Sequence, residues 1–293
     1  MPTGAPLTAG DRAATLAGIG LVVLGVTLFA VMDACSKTLA DTQSLLQIVW
    51  ARYAFAVPVI LLTVRPAAWP TLFDVASPKL QVGRALMPVL ASFAVVAGLA
   101  LLPLAEVTAL TFASPLLVVA LSAPVLGERT SIHDWLGVIL GFVGILIIVR
   151  PGAGAIAWAA LFPLACAACF ALFQVTTRLV GRSDQPAATL AWTILVGLIV
   201  TTPLLLIDWR PLSPQGWALM IASGLCFGAA QFCLIRAFRE APAALLAPFT
   251  YTQIVPAVIL GFLLFGALPD LWAVLGTALV IGAGLYVLHR RAD

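Results

Sequence analysis

Apolar runs of about twenty residues dominate this chain and limit what it can fold into. From Thr15 to Leu288 the sequence is nearly continuous hydrocarbon, cut by short breaks rich in Pro, Gly, Arg and Asp. A helix needs about 20 apolar residues to cross a bilayer core roughly 30 Å thick. Ten such runs fill the 293 residues, at approximately 15–40, 44–64, 80–101, 104–126, 132–150, 156–179, 187–207, 215–237, 243–265 and 270–288. The runs do not alternate apolar with polar, which excludes a β-barrel. The expected fold is therefore all-α and polytopic, with ten transmembrane helices and no soluble domain. Charged residues make up 9% of the chain, against about 25% in soluble domains.

Local chemistry supports several boundaries. Ser131-Ile-His-Asp134 reads as a capping box opening the fifth helix. Ser213-Pro214 places a cap and then Pro at the first position of the eighth. Trp69, Trp135, Trp158, Trp209, Trp217 and Trp272 fall near span ends, as an interfacial aromatic belt requires. Eleven Lys and Arg lie at breaks on one side, against Arg150 and Arg210 on the other. By the positive-inside rule both termini face the cytoplasm.

The two halves match at a constant offset of 141. Phe29 corresponds to Phe170, Lys37 to Arg178, Pro115 to Pro256 and Gly141 to Gly282. The hairpin at Leu101–Leu104 maps onto Pro242–Leu245. Five spans per half is an odd number, so the second half enters the bilayer from the opposite side. That is an inverted-topology repeat, an architecture of secondary transporters. The expected division is 1–150 and 151–293. Small residues four apart, at Gly137 and Gly141, Gly224 and Gly228, and Ala278 and Gly282, allow close helix approach. They serve packing within one subunit or a dimer face on helices five and ten, so the expected state is a monomer or homodimer.

Charges inside spans are costly and mark pairs or pathways. Asp33 and Lys37 lie one turn apart in the first span, and Arg52 lies in the second. Asp33 and Arg52 fall at similar depth and Lys37 is shallower, which allows a compact Asp33–Arg52–Lys37 cluster, either a clamp between helices one and two with Lys37 snorkelling or a solute or proton site. Gln174 stands at offset 141 from Asp33, so the halves are unequal. Thr108, Thr111, Ser114 and Pro115 in helix four match Thr250, Tyr251, Thr252, Gln253 and Pro256 in helix nine. Pro115 and Pro256 are the candidate hinges, because Ser and Thr satisfy backbone groups freed by Pro. Gln231 is a further polar candidate. Trp50 and Trp192 lie deeper than the belt, with Tyr53, Phe112 and Tyr251 also inside. A chamber walled by rings suits an amphipathic organic solute.

Other functions lack their residues. The chain has no Gly-x-x-x-x-Gly-Lys-Ser/Thr loop for nucleotide. His133 and His289 both sit at helix ends, so no metal set is expected, and Cys166-Ala-Ala-Cys169 reads as two small apolar side chains. No cofactor, no nucleic acid partner and no enzymatic activity are expected.

Taken in order, Ser36-Lys37, Arg52-Tyr53, the Thr108–Pro115 stretch ending Ala-Ser-Pro, Gly127-Glu128-Arg129 and the glycine-rich fifth helix ending at Arg150-Pro151 resemble the drug/metabolite transporter superfamily. The likeness is to its ten-helix EamA-type branch. The second half departs from that pattern, with Gly266-Ala-Leu in place of Gly-Glu-Arg and Ile194 where a second Arg would fall. The resemblance implies alternating access around a central cavity. The chain looks similar to bacterial exporters of aromatic and neutral amino acids, and the resemblance so implies export of amino acids or related metabolites across the bacterial inner membrane. A multidrug exporter on the same scaffold is the alternative. Asp33 is the candidate for a coupled proton.

Overall fold

The computed structural model describes residues 9–63, 72–126, 132–149, 158–180, 184–240 and 249–292. Every regular element among them is helical. In chain order these are α1 (Ala9–Ala40), α2 (Leu45–Ala54), α3 (Val57–Thr63), α4 (Pro78–Leu101), α5 (Leu104–Thr111), α6 (Ala113–Leu126) and α7 (Ile132–Val149). Then follow α8 (Leu161–Val180), α9 (Pro186–Leu204), α10 (Pro214–Glu240), α11 (Ile254–Phe265) and α12 (Leu271–Ala292). Five helical stretches are long and apolar enough to cross a membrane; five shorter apolar ones run 10–17 residues. Together they correspond to the ten expected spans. The Ser131 capping box, Glu128, Arg129, Arg150 and the 242–245 hairpin lie outside the described residues. So do Trp69 and the side chain of Arg178.

Proline decides where three spans break. Its ring clashes with the carbonyl four residues back and it has no N–H to give. Pro58 thus opposes Ala54, and α2 ends at Ala54 before α3 restarts at Val57. Pro115 opposes Thr111, the last residue of α5. Pro256 opposes Thr252, within a single 3₁₀ turn at Tyr251–Gln253. The second and third breaks are related by the offset of 141. Termini are capped as their sequences require. Ser213 Oγ accepts from the Gly216 N–H at 3.0 Å at the start of α10. Ser44 and Gln47 form a full capping box on α2. Gly266, at φ 64°, closes α11 in the left-handed region open to glycine.

Helix pairing follows the repeat. Helix α1 packs along α10, and its counterpart α8 packs along α4, the counterpart of α10. Helix α7 packs on α12, its own counterpart, and α2 on α9 in the same way. Each repeat therefore completes the other, and the core lies between them. Close approach is concentrated at glycines. A Cβ on Gly144 would meet the Gly276 carbonyl oxygen at 2.8 Å, where α7 crosses α12. Gly228 lies against Ala56 and Val59, and Gly224 against Phe55, so α10 fits into the α2–α3 break. Gly141 lies against Leu116. These small residues are spent inside one chain.

Candidate functional site

A cavity of about 160 Å³ opens between the two repeats. Its aromatic wall is Phe29 on α1, Phe170 on α8 and Phe227 on α10. Phe29 and Phe170 are the pair related by the offset, so the repeat axis runs close to the cavity. The polar wall holds Asp33, Arg52, Ser92 and Thr111 from the first half, and Gln231, Thr250 and Gln253 from the second. Pro88 also lines it, which places a missing backbone hydrogen bond of α4 at the cavity edge.

The ion pair anchors this wall. Arg52 Nη2 donates to Asp33 Oδ1 at 3.0 Å and to Ser36 Oγ at 2.8 Å. Asp33 and Ser36 stand three apart on α1 and so share a face. Arg52 is 1% exposed. Its Nε–H is buried and finds no partner among the described residues. A buried charge is tolerated when paired and hydrogen-bonded, and this pair is both, with one donor left over.

Lys37 does not join the pair. Its ammonium donates to the carbonyls of Leu99 and Leu102, each at 2.8 Å, and lies 5.5 Å from the Phe265 ring. The three-membered cluster expected from depth therefore resolves into an ion pair and a separate clamp. The reason is the free carbonyls at the C-terminus of α4, which favour a cation.

The remaining expected residues divide. Gln231 and Gln253 line the cavity with Asp33 and Arg52. Tyr53 is fully buried behind it, its ring 5.2 Å from Phe227 and its hydroxyl 3.5 Å from Ser92 Oγ. Phe112 and Tyr251 meet edge to face at 5.2 Å, so the broken segments of the two repeats touch each other. Gln174 donates to Ser114 at 3.3 Å, tying α8 to α6. Trp192 lies against Phe73, away from the cavity. Trp50 also stands apart; its Nε1 donates to Thr202 at 3.2 Å and its ring meets Phe55 and Trp209. Depth along a span says nothing about which way a helix faces, and this separates Trp50 and Trp192 from the cavity.

Two features escaped the sequence reading. Ser92 carries no pattern that marks it. Arg84, one of the eleven cations assigned above to breaks on one side, is 1% exposed within α4. It donates to Gln81 Oε1 at 3.0 Å, to the Thr189 carbonyl at 2.8 Å and to Thr193 Oγ1 at 3.0 Å, and lies 5.0 Å from the Phe173 ring. Its place six residues into an apolar span was the available signal.

The model of the EamA-like transporter family matches residues 16–150 and again 157–288. The chain belongs to the EamA-like transporter family. It is a multi-pass membrane transporter of small molecules and not an enzyme. Among relatives of this family member, a riboflavin transporter from Rhizobium johnstonii is 31% identical over 213 residues, 71% of this chain and 69% of that one. An S-adenosylmethionine uptake transporter from Rickettsia prowazekii is 23% identical over 94% of both chains. The pseudopaline exporter CntI from Pseudomonas aeruginosa is 29% identical over 91% of this chain and 94% of that one. A solved crystal structure with 18% identity shares the fold, with a TM-score of 0.65 over 96% of this chain and 99% of the other. None of these three relatives is named for amino acids, so the family is as expected while the amino-acid class is not carried by them.

Proposed function

We propose that this transporter moves amino acids or closely related zwitterionic metabolites across the bacterial inner membrane. In this reading the halves 1–150 and 151–293 rock about the cavity between them, with both termini in the cytoplasm. The observation that carries the solute class is the Asp33–Arg52 pair. It presents a buried guanidinium with an unused Nε–H beside a carboxylate, one of whose oxygens is engaged at 3.0 Å. An α-carboxylate complements the first and an α-ammonium the second, since charge-assisted bonds are the strong ones in a dry site. Phe29, Phe170 and Phe227 then face the solute side chain. The same pair opposes a bare multidrug cation, because a solute held there must bring an anionic group to meet Arg52 as well as a cationic one to meet Asp33. Export, the direction that the family resemblance implies, is supported by the name of the Pseudomonas relative and opposed by that of the Rickettsia one.

Counterflow in proteoliposomes tests this. Labelled aromatic and neutral amino acids exchange, and Arg52→Gln abolishes the exchange. If only riboflavin or S-adenosylmethionine competes, the solute class is wrong and the carrier stands. If no solute of the panel exchanges, the carrier reading of the cavity goes too.

A further inference from the structure

Four aromatic rings close into a cycle at the end of the molecule where α2 and α10 begin. Trp50 meets Phe55 at 5.9 Å and Trp209 at 6.3 Å; Trp217 meets Phe55 at 6.4 Å and Trp209 at 6.3 Å. Successive planes cross at 74°, 85°, 52° and 76°, so no two neighbours stack face to face. A square of this edge would put a cation at its centre about 4.4 Å from each centroid, inside the roughly 6 Å over which a cation is attracted to a ring face. The box is open to the outside, with Trp209 47% and Trp217 39% exposed.

In this conformation the box is held by its surroundings. Its rings come from four separate segments: α2, the α2–α3 break, the 208–213 connection and α10. The connection is pinned by the cap of α2. Gln47 donates to the Arg210 carbonyl at 2.8 Å and accepts from the Arg210 N–H at 3.0 Å, while Ser44 donates to the Asp208 carbonyl at 2.8 Å. Trp209 is therefore held in place by its neighbours' backbones. The flanking side chains are oppositely charged and loosely joined, Asp208 to Arg210 at 3.4 Å, and half-exposed. Exposed pairs of this kind are weak, so both charges remain available.

We propose that this box binds an organic ammonium group, with Asp208 beside it and Arg210 placed for an anionic neighbour on the same ligand. A zwitterionic phospholipid headgroup has this pattern, ammonium next to phosphate, and a free choline-like solute supplies the ammonium alone. The site lies apart from the cavity and does not rest on the solute reading above.

The test uses the full chain in a neutral maltoside detergent. Titration calorimetry and tryptophan fluorescence follow three probes: choline, dihexanoyl-phosphatidylcholine and dihexanoyl-phosphatidylglycerol. The phosphatidylcholine binds saturably and the phosphatidylglycerol does not. Trp209→Leu and Trp217→Leu each weaken binding at least ten-fold, Trp209→Phe restores most of it, and helical circular dichroism stays unchanged. Binding of choline as well assigns the site to soluble ammonium; binding of the phosphatidylcholine alone assigns it to a headgroup held by Arg210 too. Saturable binding by neither ammonium probe overturns the proposal. So does equal affinity for phosphatidylglycerol, or binding that Trp209→Leu leaves intact.

Discussion

Removing the guanidinium of Arg52 strands the Asp33 carboxylate inside the bundle. Breaking one member of a buried pair costs about 3–5 kcal/mol. Arg52→Gln is therefore expected to lower the thermal midpoint in detergent, and adding Asp33→Asn to it restores most of the loss without restoring transport. Fluorescence-detected unfolding separates the two effects. Asp33→Asn alone bears on coupling as well as on binding: uptake driven by a pH gradient falls further than counterflow does, and an unaltered pH dependence removes Asp33 from the coupling step. Lys37 makes a different contribution. Lys37→Met leaves the Leu99 and Leu102 carbonyls without their donor, at about 1–3 kcal/mol. The loss appears as a lower unfolding midpoint with the solute affinity unchanged. At this scale the sequence could reveal which residues were out of place in hydrocarbon, Asp33, Lys37 and Arg52 among them. It could not reveal their partners, because a side chain's direction depends on helix rotation and on backbone groups, such as the α4 terminus, that leave no mark in the sequence.

Elements succeed or fail here on small residues and breaks. Helices α7 and α12 cross with Gly144 and Gly276 in contact; a Cβ at Gly276 would meet the Gly144 carbonyl oxygen at 2.6 Å. Gly276→Val is expected to separate the helices and cost more than about 3 kcal/mol, since overpacking alone costs 1–3; reduced yield of folded protein in size-exclusion chromatography reports it. Gly282, on the same helix, has no atom within 4 Å of where a Cβ would stand, so Gly282→Ala leaves the elution profile unchanged. The span boundaries and the breaks at Pro115 and Pro256 were legible because they follow from covalent geometry. The break at Phe55 follows equally from Pro58. It was missed because an apolar run of suitable length reads as one continuous helix.

The whole molecule is joined across its halves at opposite ends. At one end α2 holds the 208–210 connection through Ser44 and Gln47. At the other, Gln81 donates to Asp184 at 2.6 Å and Arg84 holds α9 through Thr189 and Thr193. If the halves rock about the cavity, each seam must open in turn. A cross-link between Gln81→Cys and Asp184→Cys, on a background without the five native cysteines, is expected to stop counterflow, with reduction restoring it. Uninterrupted exchange in the cross-linked protein speaks against rocking. The repeat was visible at this scale because one offset relates helices, prolines and the cavity residues Phe29 and Phe170 alike. The solute was not, because relatives on the same scaffold are named for chemically unlike cargoes.

One contact joins the repeats where each backbone is interrupted. Phe112 ends α5 and Tyr251 opens the 3₁₀ turn, and their rings press together 5.2 Å apart at 88°. Neither segment can straighten without pushing on its opposite number. In the rocking cycle proposed above, these two aromatic side chains would form a mechanical linkage that hands bending in one repeat to the other.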